Sequence, residues 1–365
     1  MSPEANNPKM IRVLVADDSA FMRTAITRMI ESDPNLRVGA TAQTGQEALD
    51  KVKTLKPDVV TLDIEMPGMN GLDTLRHIMK ECPTPVIMVS SLTQEGAEVT
   101  LEALDIGAFD YVPKQSSFVS LDIVKIREEL ISKIKAAAES KIKRPMLRVG
   151  KPATPEHKTV IATPKNAATI VALGTSTGGP KALQEMLPLL PEDLNVPVLI
   201  VQHMPPGFTG PFAKRLNGLC KINVREAIQE EEVQPGVVYI APAGQHMTVY
   251  RRGASKVAVR LAQTPTGLLH MPSVDVMMNS VAEVFRSLTL GVIMTGMGAD
   301  GAKGMETIKR EGGFNVGQDE PTCTVYGMPR SAAEAGVLQR VVPLPQIPEQ
   351  IMQITRYKKI ARASV

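Results

Sequence analysis

Residues 11–18 read Ile-Arg-Val-Leu-Val-Ala-Asp-Asp and residues 59–63 read Val-Val-Thr-Leu-Asp, two apolar, β-branched runs that each stop on carboxylates. Short apolar runs without polar alternation mark strands buried on both faces, which occur where helices cover a parallel sheet. Outward from these two, further runs lie at 37–42, 86–90 and 110–112, with amphipathic helical stretches between them. Five strand–helix units from residue 10 to about residue 130 predict an α/β domain with a five-stranded, parallel, doubly wound sheet.

Residues 126–144 are rich in Lys, Glu and Ala at helical spacing and pass into 145–168, which carry Pro145, Pro152, Pro155 and Pro164. This predicts a linker, 131–168, that begins as a helix and continues as a solvated tether. A second α/β pattern follows over 169–354. Strands are expected at 170–173, 198–202, 237–241, 290–294 and 315–318, with an antiparallel hairpin from 247–250 and 256–261 about Gly253. The second domain is therefore expected to be a mostly parallel sheet with an antiparallel hairpin.

At 365 residues the chain exceeds the size of an ordinary single core, and 43% hydrophobic with 22% charged residues is the composition of folded domains. A formal charge of +3 does not announce a nucleic-acid binder. Cys82, Cys220 and Cys323 form no Cys-x-x-Cys pair, so neither a disulfide framework nor a cysteine zinc site is signalled, and a reducing cytoplasm is expected. No 18-residue uncharged apolar stretch occurs, so membrane insertion is not expected.

Asp17 and Asp18 follow the first strand, Asp63 ends the third, Ser90 ends the fourth and Lys114 lies just past the fifth. Ligands of doubly wound sheets sit outside the carboxyl ends of the strands, so these residues are expected to share one crevice. Three carboxylates there repel one another unless a hard cation neutralises them, and oxygen-only ligation suits Mg²⁺. Any one of these aspartates alone reads as a turn former or helix cap; the set at successive strand ends reads as a site for phosphoryl chemistry, with Asp63 as nucleophile.

The strings VLVADDSAFMR, VVTLDIEMPGMNGLD, PVIMVSS and GAFDYVPK resemble the response-regulator receiver family, which has a flavodoxin-like fold. The resemblance implies that Asp17, Asp18 and Asp63 bind Mg²⁺, that Asp63 takes phosphate from a histidine kinase, and that Ser90, Tyr111 and Lys114 contact the phosphoryl group and relay the change. Gln115 stands where that family commonly has proline.

In the second half, Gly174-Thr175-Ser176-Thr177-Gly178-Gly179 follows an apolar strand and precedes a helix that Pro180 can open, matching the nucleophile-elbow pattern G-x-S-x-G. Alone this turn also suits a phosphate cradle. His203 follows the strand at 198–202, and Asp300 lies in the Gly-rich turn after 290–294, so a Ser, His and Asp each stand just past a parallel strand. The order Ser176, His203, Asp300 differs from that of α/β-hydrolases; a hydrolase using Asp193 with His246 or His270 is the alternative. Triads are recognised by roles rather than order. Backbone N–H groups near Thr177 or Met297 are oxyanion candidates, each such donor being worth about 3 kcal/mol. His246, His270 and Cys323 read as structural, and the ester chemistry needs no metal.

The segments VALGTSTGGPKAL, VLIVQHMPPGFT and GVIMTGMGADGAKGM, with GVVYIAPAGQHM and DEPTCTVYGMPRSA, resemble the catalytic domain of chemotaxis methylesterases, the CheB family. The resemblance implies hydrolysis of glutamate methyl esters on methyl-accepting chemotaxis receptors and, in many members, deamidation of receptor glutamines. It also implies a triad of Ser176, His203 and Asp300 gated by receiver phosphorylation. Two rivals, a DNA-binding response regulator and a receiver fused to an inert scaffold, find no helix-turn-helix and an intact candidate triad respectively.

Overall fold

The computed structural model describes residues 10–114, 122–140 and 164–358. The chain divides into two compact units, 1–152 and 153–365. Among the described residues no helix is long and apolar enough to cross a membrane.

In the first unit the strands are β1 (Ile11–Ala16), β2 (Leu36–Ala42), β3 (Val59–Asp63), β4 (Val86–Ser90) and β5 (Asp110–Pro113), all parallel in the order β2-β1-β3-β4-β5. Helices α1 (Ala20–Glu31), α2 (Gly45–Leu55), α3 (Gly71–Glu81), α4 (Gln94–Ile106) and α5 (Asp122–Glu139) connect and cover them. Four of these begin where the sequence offers a side-chain oxygen to an orphaned amide: Ser19, Thr44, Asn70 and Thr93 accept from Met22, Glu47, Asp73 and Gly96. The expected sheet is present, each strand within a residue or so of its predicted ends.

One boundary needs correction. The first domain is expected to end at 130 and to pass into a linker helix, but α5 continues to Glu139 and belongs to the first unit. Its Leu130, Ile134 and Ala137 are buried with Val13, Val15, Ile26, Ile30 and Val112 in one cluster. The Lys and Glu content disguised this, because one apolar stripe suffices to seat a helix that is otherwise solvated.

The second unit holds β6 (Ile170–Thr175), β7 (Val198–Gln202), β8 (Asn223–Glu226), β9 (Val237–Ile240), β10 (His246–Arg252), β11 (Lys256–Ala262), β12 (Thr289–Ile293), β13 (Phe314–Gln318) and β14 (Arg340–Val342). Seven of them form a parallel sheet in the order β14-β13-β12-β6-β7-β9-β8, and β10 and β11 form the expected antiparallel hairpin as a separate ribbon. Helices α6 (Gly179–Met186), α7 (Thr209–Leu219), α8 (Val274–Phe285), α9 (Ala302–Arg310), α10 (Met328–Glu334) and α11 (Ile347–Ile354) accompany them. The two strands not foreseen, β8 and β14, are the sheet edges. Short and bearing Arg225, Glu226 and Arg340, they lack the apolar run that betrays a central strand. The main core joins β6, β7, β9 and β12 to α8 through Ile170, Leu199, Tyr239, Met277, Met278 and Ile293.

The α5 assignment predicts that Ile134→Ala destabilises the first unit by about 2–5 kcal/mol, as expected for a large-to-small change in a packed core. Calorimetric unfolding checks it; a solvated linker residue would shift stability by less than about 0.5 kcal/mol.

Candidate active site and phosphoacceptor cluster

In the seven-stranded sheet, β12, β13 and β14 lie in turn on one side of β6, and β7, β9 and β8 on the other, so β6 and its neighbours β7 and β12 meet at the reversal of strand order where such sheets bind ligands. Ser176 follows β6, His203 follows β7 and the turn bearing Asp300 follows β12. Thr175 and Gln202 pair across β6 and β7, His203 N–H donates to Thr175 O at 3.2 Å, and Gln202 Nε2 donates to the carbonyls of both Ser176 and His203 at 3.0 Å. The sheet register itself thus sets Ser176 beside His203. Gly178 closes the elbow at φ +76°, and a Cβ there would lie 2.4 Å from the Cβ of Thr324.

His203 Nε2 lies 2.8 Å from Asp300 Oδ2. The same carboxylate accepts from Val274 N at 2.7 Å, Asp275 N at 3.0 Å and the Ser273 hydroxyl at 2.9 Å, so it sits on the N-terminus of α8. Burial pushes its pKa up, but the His203 bond and the α8 amides outweigh burial and hold it well below the usual carboxylate range. Asp300 is therefore ionised at neutral pH. His203 Nδ1 is buried with no protein partner among the described residues, leaving it available to a reacting group.

His246 and Asp193 of the alternative are engaged with other groups. His246 is fully buried, its Nδ1 accepting from Ser273 N at 3.1 Å and its Nε2 donating to Pro265 O at 3.1 Å, while Asp193 accepts from the Tyr357 hydroxyl at 2.5 Å. His246 is a satisfied structural histidine, and burial lowers its pKa. It nevertheless touches the site indirectly, by fixing Ser273, which donates to Asp300. His270 stacks on His203 with ring centroids 3.9 Å apart. Spacing could not reveal these supports because they join distant loops. Cys323, its thiol pushed up to about 12 by burial and by Asp319 and Glu320, is protonated at neutral pH.

The oxyanion candidates stand on the two converging turns. Ser176 N–H donates to Thr295 O at 3.0 Å and is occupied, whereas the N–H groups of Thr177 and Met297 have no protein acceptor among the described residues. Thr295 ties the turns together, its hydroxyl donating to Thr177 O at 2.9 Å and accepting from Val325 N at 3.0 Å.

In the first unit Asp17, Asp18 and Asp63 converge at the β1/β3 switch point with ligand oxygens within 4.8 Å of one another. Asp17 and Asp63 are buried and Asp18 is exposed. Lys114 Nζ stands 2.6 Å from Asp63 and 3.4 Å from Asp17, one positive charge against three carboxylates. Burial raises the Asp63 pKa to about 6 against the opposing pull of Lys114. A cluster of hard oxygens with excess negative charge in a buried setting fits Mg²⁺.

The expected switch residues are less uniform. The Ser90 hydroxyl is buried in a network with Thr100 Oγ1 at 2.6 Å and Gly96 O at 3.2 Å, and has no bond to Asp63 or Lys114. The Tyr111 ring is buried under Lys133 Nζ, 5.2 Å from its centroid, and that ammonium also donates to Tyr111 O and bridges Asp110 and Glu129. Lys133 was not foreseen, since it lies in what reads as linker. Gln115 lies outside the described residues.

Comparison with known proteins finds a family for each unit. The CheB methylesterase family matches residues 171–351 and the response regulator receiver domain matches residues 13–124. A protein-glutamate methylesterase/protein-glutamine glutaminase 2 of Nitratidesulfovibrio vulgaris is 47% identical, covering 94% of this chain and 99% of its own. A protein-glutamate methylesterase/protein-glutamine glutaminase of Pyrococcus abyssi is 48% identical, covering 94% of each. The crystal structure of the Thermotoga maritima CheB methylesterase catalytic domain matches with a TM-score of 0.50 at 41% identity, over 52% of this chain and 100% of that one. With two domain families in this order and relatives so similar along nearly its whole length, the chain belongs to the protein-glutamate methylesterase/protein-glutamine glutaminase family.

Proposed function

We propose that the chain hydrolyses glutamate methyl esters on chemoreceptors, and deamidates receptor glutamines, through Ser176, His203 and Asp300, under control of phosphorylation at Asp63. The observation that carries the hydrolase reading is the half-buried His203–Asp300 pair, 2.8 Å apart, at the strand ends beside Ser176. Asp300 holds Nε2 protonated, which leaves Nδ1 as the base. His203 Nδ1 takes the Ser176 proton as Oγ attacks the ester carbonyl, and the free N–H groups of Thr177 and Met297 receive the developing oxyanion. The tetrahedral species collapses, the methoxy group leaves as methanol with the proton from His203, and an acyl-Ser176 remains. Water, deprotonated by His203, cleaves the acyl bond; the glutamate carboxylate departs and Ser176 regains its proton. With a glutamine substrate the leaving group is ammonia and the remaining steps are the same.

In the receiver, Asp63 takes the phosphoryl group from a chemotaxis histidine kinase, and Lys114 contacts its oxygens. Mg²⁺, held by Asp17, Asp18 and Asp63, supplies charge neutralisation for that transfer when bound. The Ser90 hydroxyl must leave Gly96 O and Thr100 to meet the phosphoryl group, and this rotation, with Tyr111, is the relay. Phosphorylation raises catalysis only as far as the phosphoryl group favours the active arrangement over the inactive one. A kinase donor and receptor substrate place the protein in the cytoplasm.

Methanol release from methylated chemoreceptor tests both halves at once. Wild type is expected to release methanol faster with a small-molecule phosphodonor and Mg²⁺; Ser176→Ala falls to background, by roughly 10³-fold or more. Asp63→Asn keeps the basal rate and loses the stimulation. No release from wild type under any condition overturns the esterase reading. Separately, Mg²⁺ is expected to raise the unfolding temperature of the receiver by a few degrees through binding to the folded state, and Asp17→Asn to remove most of that rise. A calorimetric titration checks it.

A further inference from the structure

Helix α9, which follows Asp300, has no side-chain cap of its own. Its cap position is Gly301 at φ +101°, where a Cβ would come within 2.8 Å of Ile293 Cδ1 and 2.9 Å of Val274 Cγ1, so a serine or aspartate there is strained and crowded. The cap comes instead from α8: Asp275 Oδ1 accepts from Gly301 N at 2.9 Å and Gly304 N at 2.7 Å. In return Asp300, from the turn before α9, accepts the Val274 and Asp275 amides at the start of α8. Each helix N-terminus is thus closed by a carboxylate belonging to the other.

We propose that Asp275 is a positioning residue for catalysis: its carboxylate oxygen anchors the turn that carries Asp300, and through Asp300 it sets the orientation and tautomer of His203. This inference rests on the triad reading above. Without the Asp275 acceptor, Gly301 N and Gly304 N lose their partner and the Asp300 turn is held from one side only. The carboxylate then drifts relative to His203, and a displacement of about 1 Å in such a group costs about 10²-fold in rate. Asp275 acts through the position of Asp300 and is given no contact with substrate, so the effect is expected on kcat rather than KM. Burial and the nearby Asp300 raise the Asp275 pKa, so the second carboxylate carries an electrostatic cost that an asparagine avoids while still presenting an oxygen to both amides.

The test uses the full chain with methylated receptor, at temperatures below each variant's measured unfolding midpoint. A serine-directed fluorophosphonate that reports Ser176 reactivity without receptor docking is the second readout. Asp275→Ala and the shorter acceptor Asp275→Ser are expected to lose about 10- to 100-fold in kcat and in labelling rate, with KM within about twofold. Asp275→Asn is expected to stay within about threefold and to unfold no lower than wild type. Two truncations ensure that collapse of one leaves the comparison standing. The proposal is overturned if a folded truncation keeps kcat within about twofold of wild type, or if Asp275→Asn loses as much as the truncations. Asp300→Ala, run alongside, separates the two levels: wild-type rate in that variant defeats the triad itself, whereas loss in Asp300→Ala with none in Asp275→Ala defeats the positioning role alone.

Discussion

A carboxylate taken out of water survives as an anion only if protein groups replace its hydration, and the catalytic unit is organised around one such replacement. Asp300 accepts from an imidazole, a hydroxyl and two backbone amides, all between 2.7 and 3.0 Å. Charge-assisted bonds of this kind contribute about 1.5–3 kcal/mol each, which offsets the cost of burying the charge. The donors come from three places, the loop after β7, the cap Ser273 and the first turn of α8, so saturating this anion fixes the mutual position of elements that the sheet alone would leave loose.

The receiver shows the opposite arrangement. Its three carboxylates lie together with Lys114 as counter-charge, and for Asp63 burial outweighs the pull of Lys114, so its pKa ends above the ordinary value. An anion left short of donors is a demand for positive charge from outside, whereas one fully supplied with them is a fixed electrostatic tool. The two units place their acids at equivalent points, the carboxyl ends of strands at a switch point, and differ in how many donors the chain provides there.

Legibility followed the same division. Central strands and the residues just beyond them could be read because burial on both faces forces unbroken apolar runs, and the chemistry stands where those runs stop. Thus Ser176, His203, Asp300, Asp17, Asp18, Asp63 and Lys114 can all be read from the sequence as lying at or just past strand ends, which is where the fold has them. Edge strands β8 and β14, half solvated and charged, carry no such run. The C-terminal half of α5, from residue 131, reads as linker because only one stripe of it is apolar. Ser273, Asp275 and Lys133 escaped notice for another reason: each acts by bonding to a residue more than twenty positions away, or to one across a helix–strand contact, and no local pattern encodes that.

The catalytic sheet ends in four residues on one side and three on the other, with Arg225, Glu226 and Arg340 on those margins. A second chain seeking to extend the sheet finds a ledge too brief for a cooperative run of main-chain bonds, and meets ionic side chains that must be stripped of water first. Seven parallel strands are a slow-forming, sticky architecture while incomplete. Blunt margins mean that, once formed, the sheet offers its neighbours little to continue, so crowding of these molecules favours separate particles over fibrous stacking.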